Sequence, residues 1–502
     1  MRKNKKKPNR VGKVFGVIFS ILLVAATMYL LFNLVKLNVL PTKLLFLVTV
    51  VFVLLDLIFI LLLCFATKGA VSKIICIIFT IAIALGSCMG GYYISKTGNL
   101  LSNMTTVSSN AKTTVSVVVK KSSDLKKKND LAGHSIGVLQ NIGTVGSNKV
   151  LKELSKSGVE MTQTPYESLS AMLEAFYNSE VDSIIINESS RDQITDMETY
   201  ADFNNTTRVV YQTSYEVENT DKANAVSDIT NTPFNVLISG SDTRGGFDEN
   251  GRSDVIMVAT INPKTSTVLL TSIPRDYYVT TTCDAADGCQ EGALDKITHT
   301  GIHGTNTTKR TVENLLGIEI NYTFKVGFDT VTDIVDAVGG IDVTVAPGYA
   351  VSSFVTMPGY GVHEGVNHLN GERALAYARE RYAYSEGDRQ RTKNQQQVLM
   401  AIVDKVTSPA IVTNYASIMD SMANTFSTTM SNDEITSLIK YQLNKNPKWK
   451  IEQSMVDGTG DTQMCAELGN AAYVMVPDES TVTKATNKIN AVMQGKSADS
   501  VE

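Results

Sequence analysis

Three runs of about twenty apolar residues open the chain, at 14–35, 44–65 and 74–94. Each has the ~20-residue length that a helix needs to cross ~30 Å of hydrocarbon, so the pattern predicts three transmembrane helices within 14–95. A cleaved leader would carry a single, shorter apolar core and a small-residue cleavage site, which does not describe these runs. Residues 96–113 are rich in Ser, Thr and Asn without apolar period and read as a stalk. Beyond it, short β-branched runs alternate with helical ones. Residues 114–119 and 135–139 read as strands, Gly143-Thr144 opens a helix to Lys156, and a helix over 168–177 precedes a strand at 181–186. Strand–helix alternation predicts a small α/β accessory domain over 114–215 with a largely parallel sheet. The polar, mostly acidic stretch 216–232 reads as a linker.

The third region, 233–406, opens on the apolar strand Phe234-Asn235-Val236-Leu237-Ile238. Two more strands, 254–261 and 267–273, flank the turn sequence Asn262-Pro263-Lys264-Thr265, which predicts an antiparallel hairpin. Such a hairpin carries Asp254 and Arg275 to the same sheet edge, within reach of Asp242 and Arg244 just past the first strand. Helices are predicted over 306–316 and 329–338, the latter stopped by Gly339-Gly340. A helix over 375–380 must leave regular geometry at Glu380 if Arg379 and Arg381, two residues apart, are to face one ligand. In the next helix, from about Asp388, the spacing of Asp388, Arg391 and Gln395 puts all three on one face. Residues 407–502 read as a C-terminal extension packed on this domain.

Charge divides the chain. Its 502 residues carry a formal net charge of −4. The first 13 hold seven bases (Arg2, Lys3, Lys5, Lys6, Lys7, Arg10 and Lys13) and no acid, leaving 39 bases against 50 acids, a net −11, for the rest. A basic tip before the first span predicts a cytoplasmic N-terminus, and three crossings then place everything after about Ser95 outside the cell. An acidic body is a poor nucleic-acid binder. Asp56, within the second span, reads as a hydrogen-bonded acid between packed helices. Of six cysteines, Cys64, Cys76 and Cys88 lie in or beside the spans. Cys283 and Cys289 flank a short loop without further zinc ligands and read as a local disulfide. His299 and His303 lack the intervening acid of a zinc-protease helix. No full Gly-x-x-x-x-Gly-Lys-Ser/Thr phosphate loop is present, so no nucleotide is implied.

The candidate chemistry lies in short arginine motifs punctuated by acids: Gly240-Ser241-Asp242-Thr243-Arg244, Gly251-Arg252-Ser253-Asp254, Ser272-Ile273-Pro274-Arg275-Asp276, Ala378-Arg379-Glu380-Arg381 and Gly387-Asp388-Arg389-Gln390-Arg391-Thr392-Lys393-Asn394-Gln395. Guanidinium groups match phosphate geometry and remain charged, while interspersed carboxylates suit a divalent cation bridging the same phosphates. With Leu294-Asp295-Lys296-Ile297-Thr298-His299 and Val338-Gly339-Gly340-Ile341-Asp342-Val343, the motifs resemble, in order, those of the LytR-CpsA-Psr family. The three spans, the accessory domain and the Lys-Asn-Gln reading at 393–395 resemble its streptococcal, capsule-type branch. The accessory domain resembles one lobe of the periplasmic solute-binding proteins.

The family resemblance implies an α/β/α sandwich around a mixed, mainly antiparallel sheet, with an apolar tunnel for a polyprenyl tail. It implies transfer of a glycopolymer, capsular or teichoic-acid type, from a polyprenyl-pyrophosphate carrier to a peptidoglycan hydroxyl, leaving a phosphodiester. Asp242 and Asp254 match ligands of Mg2+, or of Mn2+ in its place. Arg252, Arg275, Arg379, Arg381, Arg391 and Gln395 match pyrophosphate-binding residues, with Arg244 and Lys296 as further substrate contacts, and Asp388 matches an acid orienting the arginines. Asp242 and Asp388 are both candidates for the base. Implied partners are the lipid-linked glycan, peptidoglycan, membrane lipid and other wall-assembly proteins. Two alternatives stay open: an extracellular lipid-glycan binder without turnover, and a pyrophosphate hydrolase.

Overall fold

The apolar runs form three long helices, α1 (Arg10–Leu37), α2 (Thr42–Leu61, extended by a π turn at Leu62–Ala66) and α3 (Ala70–Thr105). Their segments Val14–Leu37, Thr42–Ala66 and Val71–Asn99 are long and apolar enough to cross a membrane, with mean hydropathies of 2.5, 3.1 and 2.3. The computed structural model describes residues 10–66, 69–105, 110–241, 249–284, 289–406 and 426–501. Contacts divide the chain into two units, 1–103 with 431–447, and 104–430 with 448–502. In the first, Thr27 Oγ1 donates to Asp56 Oδ1 at 3.0 Å, so the intramembrane acid is held between α1 and α2. Gly91 lets α3 approach α1, because a Cβ there would lie 2.6 Å from the Tyr29 ring. The expected stalk is a correction. α3 runs on to Thr105 and the next strand starts at Asn110, since a helix already nucleated extends at little cost through polar residues.

The second unit begins with the accessory lobe, whose strands are β1 (Asn110–Lys120), β2 (Ser135–Leu139), β3 (Thr162–Tyr166), β4 (Ser183–Asn187) and β5 (Thr207–Glu218). Its helices are α4 (Thr144–Lys156), α5 (Leu169–Tyr177), α6 (Arg191–Asp196) and α7 (Phe203–Thr206). The sheet order is β3-β2-β4-β1-β5. Only β2–β3 and β2–β4 are parallel, while β1 pairs antiparallel with both β4 and β5. The largely parallel expectation therefore fails for half the sheet. Helical crossovers through α4 and α5 impose the parallel pairs, and β1, entering without a crossover, is free to run the other way. Val115, Val117 and Val119 face one core and Val118 the other, as period-two alternation requires. The expected linker is packed: Asp221 accepts from Thr323 Oγ1 at 2.6 Å, and Asn224 N donates to Asn321 O at 2.8 Å.

The main sheet uses β6 (Phe234–Ser241), β7 (Ser253–Asn262), β8 (Thr267–Ile273), β11 (Tyr322–Gly327), β14 (Phe426–Thr428) and β15 (Lys450–Met455), in the order β14-β11-β6-β7-β8-β15. Three pairings are antiparallel, and two, β11–β6 and β15–β8, are parallel. Three small ladders, β9 (Tyr278–Thr280) with β10 (Leu294–Lys296), β12 (Ile341–Val345) with β13 (Gly365–Leu369), and β16 (Gly458–Cys465) with β17 (Asn470–Pro477), surround it. On one face, Leu237, Ile256, Val258, Leu269 and Ile273 pack under α8 (Thr305–Leu316) and the C-terminal helix Glu479–Met493. Over the other lie α9 (Phe328–Ala337), α10 (Gly371–Arg379) and α11 (Asp388–Val406), where Gln396 of α11 donates to Ser272 Oγ at 2.8 Å. Val398 and Ala401 of α11 are buried in this second core. The fold is the expected mixed α/β sandwich. The boundary at 406 cuts through it, because β14 and β15 are strands of the sheet and not an extension resting on it. α12 (Asn432–Lys445), capped by a reciprocal Ser431–Glu434 box, belongs to the first unit, where Lys440 Nζ donates to Asn38 Oδ1 at 2.8 Å.

Candidate functional site

Sheet register builds the centre of the site. In β7–β8, Ile256 pairs with Ile273. Two residues further along the same register, Asp254 stands across from Arg275, and Arg275 Nη1 donates to Asp254 Oδ1 at 2.7 Å. The 3₁₀ segment Ile297–His303 crosses this edge and braces it. Thr298 N donates to the Arg275 carbonyl at 3.0 Å, and Thr298 Oγ1 to Asp254 Oδ1 at 3.3 Å. Gly301 allows the crossing, since a Cβ there would lie 2.5 Å from the Gly251 carbonyl. The loop bearing Arg252 is thereby pinned against the sheet.

The remaining arginines arrive from the helical side. α9 ends at Gly339-Gly340, and a Cβ on Gly340 would meet the His368 ring at 2.4 Å. α10 stops at Arg379, and Glu380 takes extended geometry (φ −70°, ψ 127°), the break that the Arg379/Arg381 spacing predicted. The fully buried Glu380 carboxylate fixes that break by accepting from Thr356 N and Oγ1, both at 3.0 Å, and from Ala383 N at 2.9 Å. Arg379 lies 5.1 Å over the Phe328 ring and Arg381 4.5 Å over Tyr382. Arg391, in the first turn of α11, pairs with Asp388.

Together they line one cleft of about 250 Å³, formed by Arg252, Asp254, Arg275, Arg379, Arg381, Arg391 and Gln395 with Asp196, Phe328, Thr356 and Tyr382. Five guanidiniums face two carboxylates there, so the cleft is an anion site. The Nε atoms of Arg275 and Arg391 are buried without a hydrogen-bond partner among the described residues. Those two atoms are closed off from the cleft, and it is the five guanidiniums along its lining that favour a ligand with several acceptor oxygens.

Burial alone would raise the Asp254 carboxyl, but Arg275, Arg252 and Arg391 overcome it and hold the group at about 2. Asp254 is therefore a permanent anion and a weak base. Among the described residues, both hydrogen bonds to it reach Oδ1, which leaves Oδ2 for a cation. No three His, Cys, Asp or Glu side chains among the described residues converge as a metal cage. Asp242 and Arg244 lie outside the described residues.

Lys296 and Asp388 stand behind the cleft lining. Lys296 does not line the cleft; its Nζ lies 3.1 Å from Asp276 Oδ1. Asp276 in turn lies 3.8 Å from Arg275 Nε and 4.0 Å from Arg381 Nη1. Burial would raise its carboxyl, but Arg275 and Lys296 hold it low. Asp388 likewise lies outside the cleft lining, against Arg391. The histidines are spoken for by carboxylates: His299 Nδ1 is 2.7 Å from Asp295 Oδ1 and His303 Nε2 is 3.0 Å from Glu467 Oε2. Cys283 and Cys289 form a disulfide. Sequence reasoning did not assign roles to Asp276, Glu380 or Thr298, although all three lie inside quoted motifs. Asp196 carried no local signal.

A family model described as the LytR_cpsA_psr family matches residues 199–491, more than half of the chain. The polyisoprenyl-teichoic acid–peptidoglycan teichoic acid transferase TagU of Bacillus subtilis (strain 168) is 33% identical over 263 residues, which cover 52% of this chain and 78% of that protein. The protein of the same name from Enterococcus faecalis (strain ATCC 700802 / V583) is 32% identical over 286 residues, or 56% and 87% of the two chains. Among solved structures, protein gbs0355 from Streptococcus agalactiae aligns with a TM-score of 0.47 and 27% identity, over 55% of this chain and 92% of that one. With the motif blocks matched in order, the chain belongs to the LytR_cpsA_psr family.

Proposed function

We propose that this protein moves a glycopolymer from a polyprenyl-pyrophosphate carrier to a sugar hydroxyl of peptidoglycan, leaving a phosphodiester, on the outer face of a membrane it spans three times. The observation that carries the reading is the convergence of Arg252, Arg275, Arg379, Arg381 and Arg391 with Asp254 on one cleft. The names of the relatives support the substrate class, since both are transferases of teichoic acid to peptidoglycan.

A pyrophosphate diester brings two negative charges and bridging oxygens to five guanidiniums. The acceptor oxygen attacks the glycan-side phosphorus, the bond to the bridging oxygen breaks, and polyprenyl phosphate leaves with the electron pair. Charge grows on that leaving phosphate, and pre-placed arginines stabilise it without reorganisation. The buried ion pairs that surround Arg275, and the Asp388 contact of Arg391, hold these groups in place before substrate arrives. Asp254, with Asp242, would hold Mg2+, which when bound supplies further neutralisation of the phosphates. Asp254, held at about 2, is too weak a base to take the hydroxyl proton; Asp242 and Asp388 are the two candidates, and Asp242 is weakened as a base whenever it holds the cation.

The test uses the full chain in lipid nanodiscs, with labelled lipid-linked glycan and peptidoglycan oligomers, with and without Mg2+. Mg2+-dependent appearance of label on the oligomers supports the reading. Binding of donor without turnover, or release of free phosphorylated glycan in place of transfer, would replace it.

A further inference from the structure

One cleft residue comes from outside the catalytic sheet. Asp196 is the last residue of α6, in the accessory lobe. Contacts on several sides hold that helix in place. Arg191 of the same helix donates to Glu188 through Nε (2.6 Å) and Nη2 (2.8 Å), donates to Asn204 Oδ1 at 3.1 Å, and lies 5.4 Å over the Phe203 ring. Ile194 is fully buried. Just beyond Asp196, Met197 packs against Cys465, Leu468 and Val474 of the β16–β17 hairpin. The loop of that hairpin is gripped again by Ser170, whose N donates to Leu468 O at 3.3 Å and whose Oγ donates to Gly469 O at 3.0 Å. The lobe is thus docked beside the cleft, and α6 points its C-terminal carboxylate into it.

What that carboxylate touches is specific. Asp196 Oδ2 pairs with Arg252 Nη1 and lies 3.5 Å from Arg275 Nη2. Arg275 already gives Nη1 to Asp254, and its Nε is fully buried, 3.8 Å from Asp276. Nη2 is therefore the edge left for an anionic ligand, and Asp196 lies on it. The Asp196 side chain is 51% exposed, against 12% and 11% for Arg252 and Arg275, so it stands on the solvent side of both. An entering phosphate meets it first.

We infer that Asp196 is a ligand-competing residue of the active cleft, supplied by the accessory lobe. It neutralises Arg252 and Arg275 until diphosphate oxygens take the same guanidinium edges, and so lowers the affinity of the cleft for polyprenyl diphosphate. Two anions cannot share one Nη edge, and like charges brought together in a partly buried site repel. The accessory lobe then sets ligand affinity by a direct contact, and any shift of the lobe on the hairpin changes it. This rests on the proposed reading of the cleft as a pyrophosphate site.

The probe is geranyl diphosphate with Mg2+, titrated calorimetrically into the full chain in nanodiscs. Asp196→Asn keeps size and removes charge at a half-exposed position, so folding is retained and is verified by thermal melting. Expected is binding about two- to tenfold tighter than wild type, the range for a partly exposed competing ion pair. In an Arg252→Ala background the same substitution is expected to gain less, because part of the competition has gone. Unchanged or weaker binding by Asp196→Asn overturns the inference and makes the residue a positioning group or cation ligand. Arg391→Ala reports separately on the cleft. If it binds geranyl diphosphate as tightly as wild type, or if wild type binds none, the pyrophosphate reading fails and takes this inference with it.

Discussion

Replacing Arg275 by alanine removes the most heavily engaged cation of the cleft. Its guanidinium is 11% exposed and lies 2.7 Å from Asp254, 3.5 Å from Asp196 and 3.8 Å from Asp276. Two costs follow and they are separable. A charge-assisted contact to the diphosphate is typically worth about 1.5–3 kcal/mol. Made mainly in the transition state, that is roughly a 10- to 150-fold loss in the rate constant. Folding is also affected, since truncating one partner of a buried pair costs up to about 3–5 kcal/mol. Here the loss should fall below that range, because Asp254 still faces Arg252 and Arg391, and Asp276 keeps Lys296 at 3.1 Å. The assay is transfer of labelled glycan to peptidoglycan oligomers by protein shown to be folded by its melting curve. Transfer should still require Mg2+, since Arg275 is not a cation ligand. Arg275→Lys should recover little. Three edges of the guanidinium meet three different carboxylates, and a single ammonium on a longer stem cannot satisfy that geometry. Wild-type transfer by folded Arg275→Ala, or full rescue by lysine, would refute the reasoning.

Asp254→Asn preserves shape but removes the anion, and is expected to need far more Mg2+ for half-maximal transfer, with partial rescue by excess; lost transfer at an unaltered Mg2+ midpoint would deny it a ligand role. Asp254 also links stability to acid. Its folded pKa of about 2 lies below the unfolded value of 3.8, so its contribution, on the order of 2 kcal/mol, is complete above about pH 4 and lost as pH falls through 2. The urea midpoint of Asp254→Asn should accordingly vary less than that of wild type between pH 4 and 2. Burial pushes the Cys465 thiol up to about 12, with the nearby Asp295 adding to the shift. It should react with a maleimide only after denaturation, whereas Cys283 and Cys289 should label once a reductant opens their disulfide; native labelling of any of the three without reductant contradicts the structure.

Local pattern carried much of this architecture. Apolar run length announced α1 to α3, and Asn262-Pro263-Lys264-Thr265 announced the β7–β8 hairpin that brings Asp254 to Arg275. Even the break at Glu380 followed from two arginines needing one side. What stayed hidden depends on contacts far apart in sequence. β15 enters the sheet beside β8 some 180 residues later, and nothing in the periodicity of 450–455 names its neighbour. The run of β1 against β4 and β5 escaped for the same reason, since alternation reports burial and not direction. Lys296 matched a motif yet serves Asp276, because a motif match gives proximity to a site and not the atom that is touched. Asp196 is the extreme case: an ordinary helix-terminal acid whose significance exists only once the accessory lobe is docked on the β16–β17 hairpin.

The central claim is that the arginine cleft directs attack to the glycan-side phosphorus of a lipid diphosphate. The most direct measurement follows both phosphorus atoms through a single turnover, using donor and peptidoglycan oligomer with the full chain in nanodiscs, read by ³¹P resonance and mass. The expected result is one polyprenyl monophosphate released for each glycan–peptidoglycan phosphodiester formed, with the glycan-side phosphorus retained in the product. Release of polyprenyl diphosphate with a phosphorus-free glycosidic bond, or of phosphorylated glycan joined to no acceptor, would contradict it.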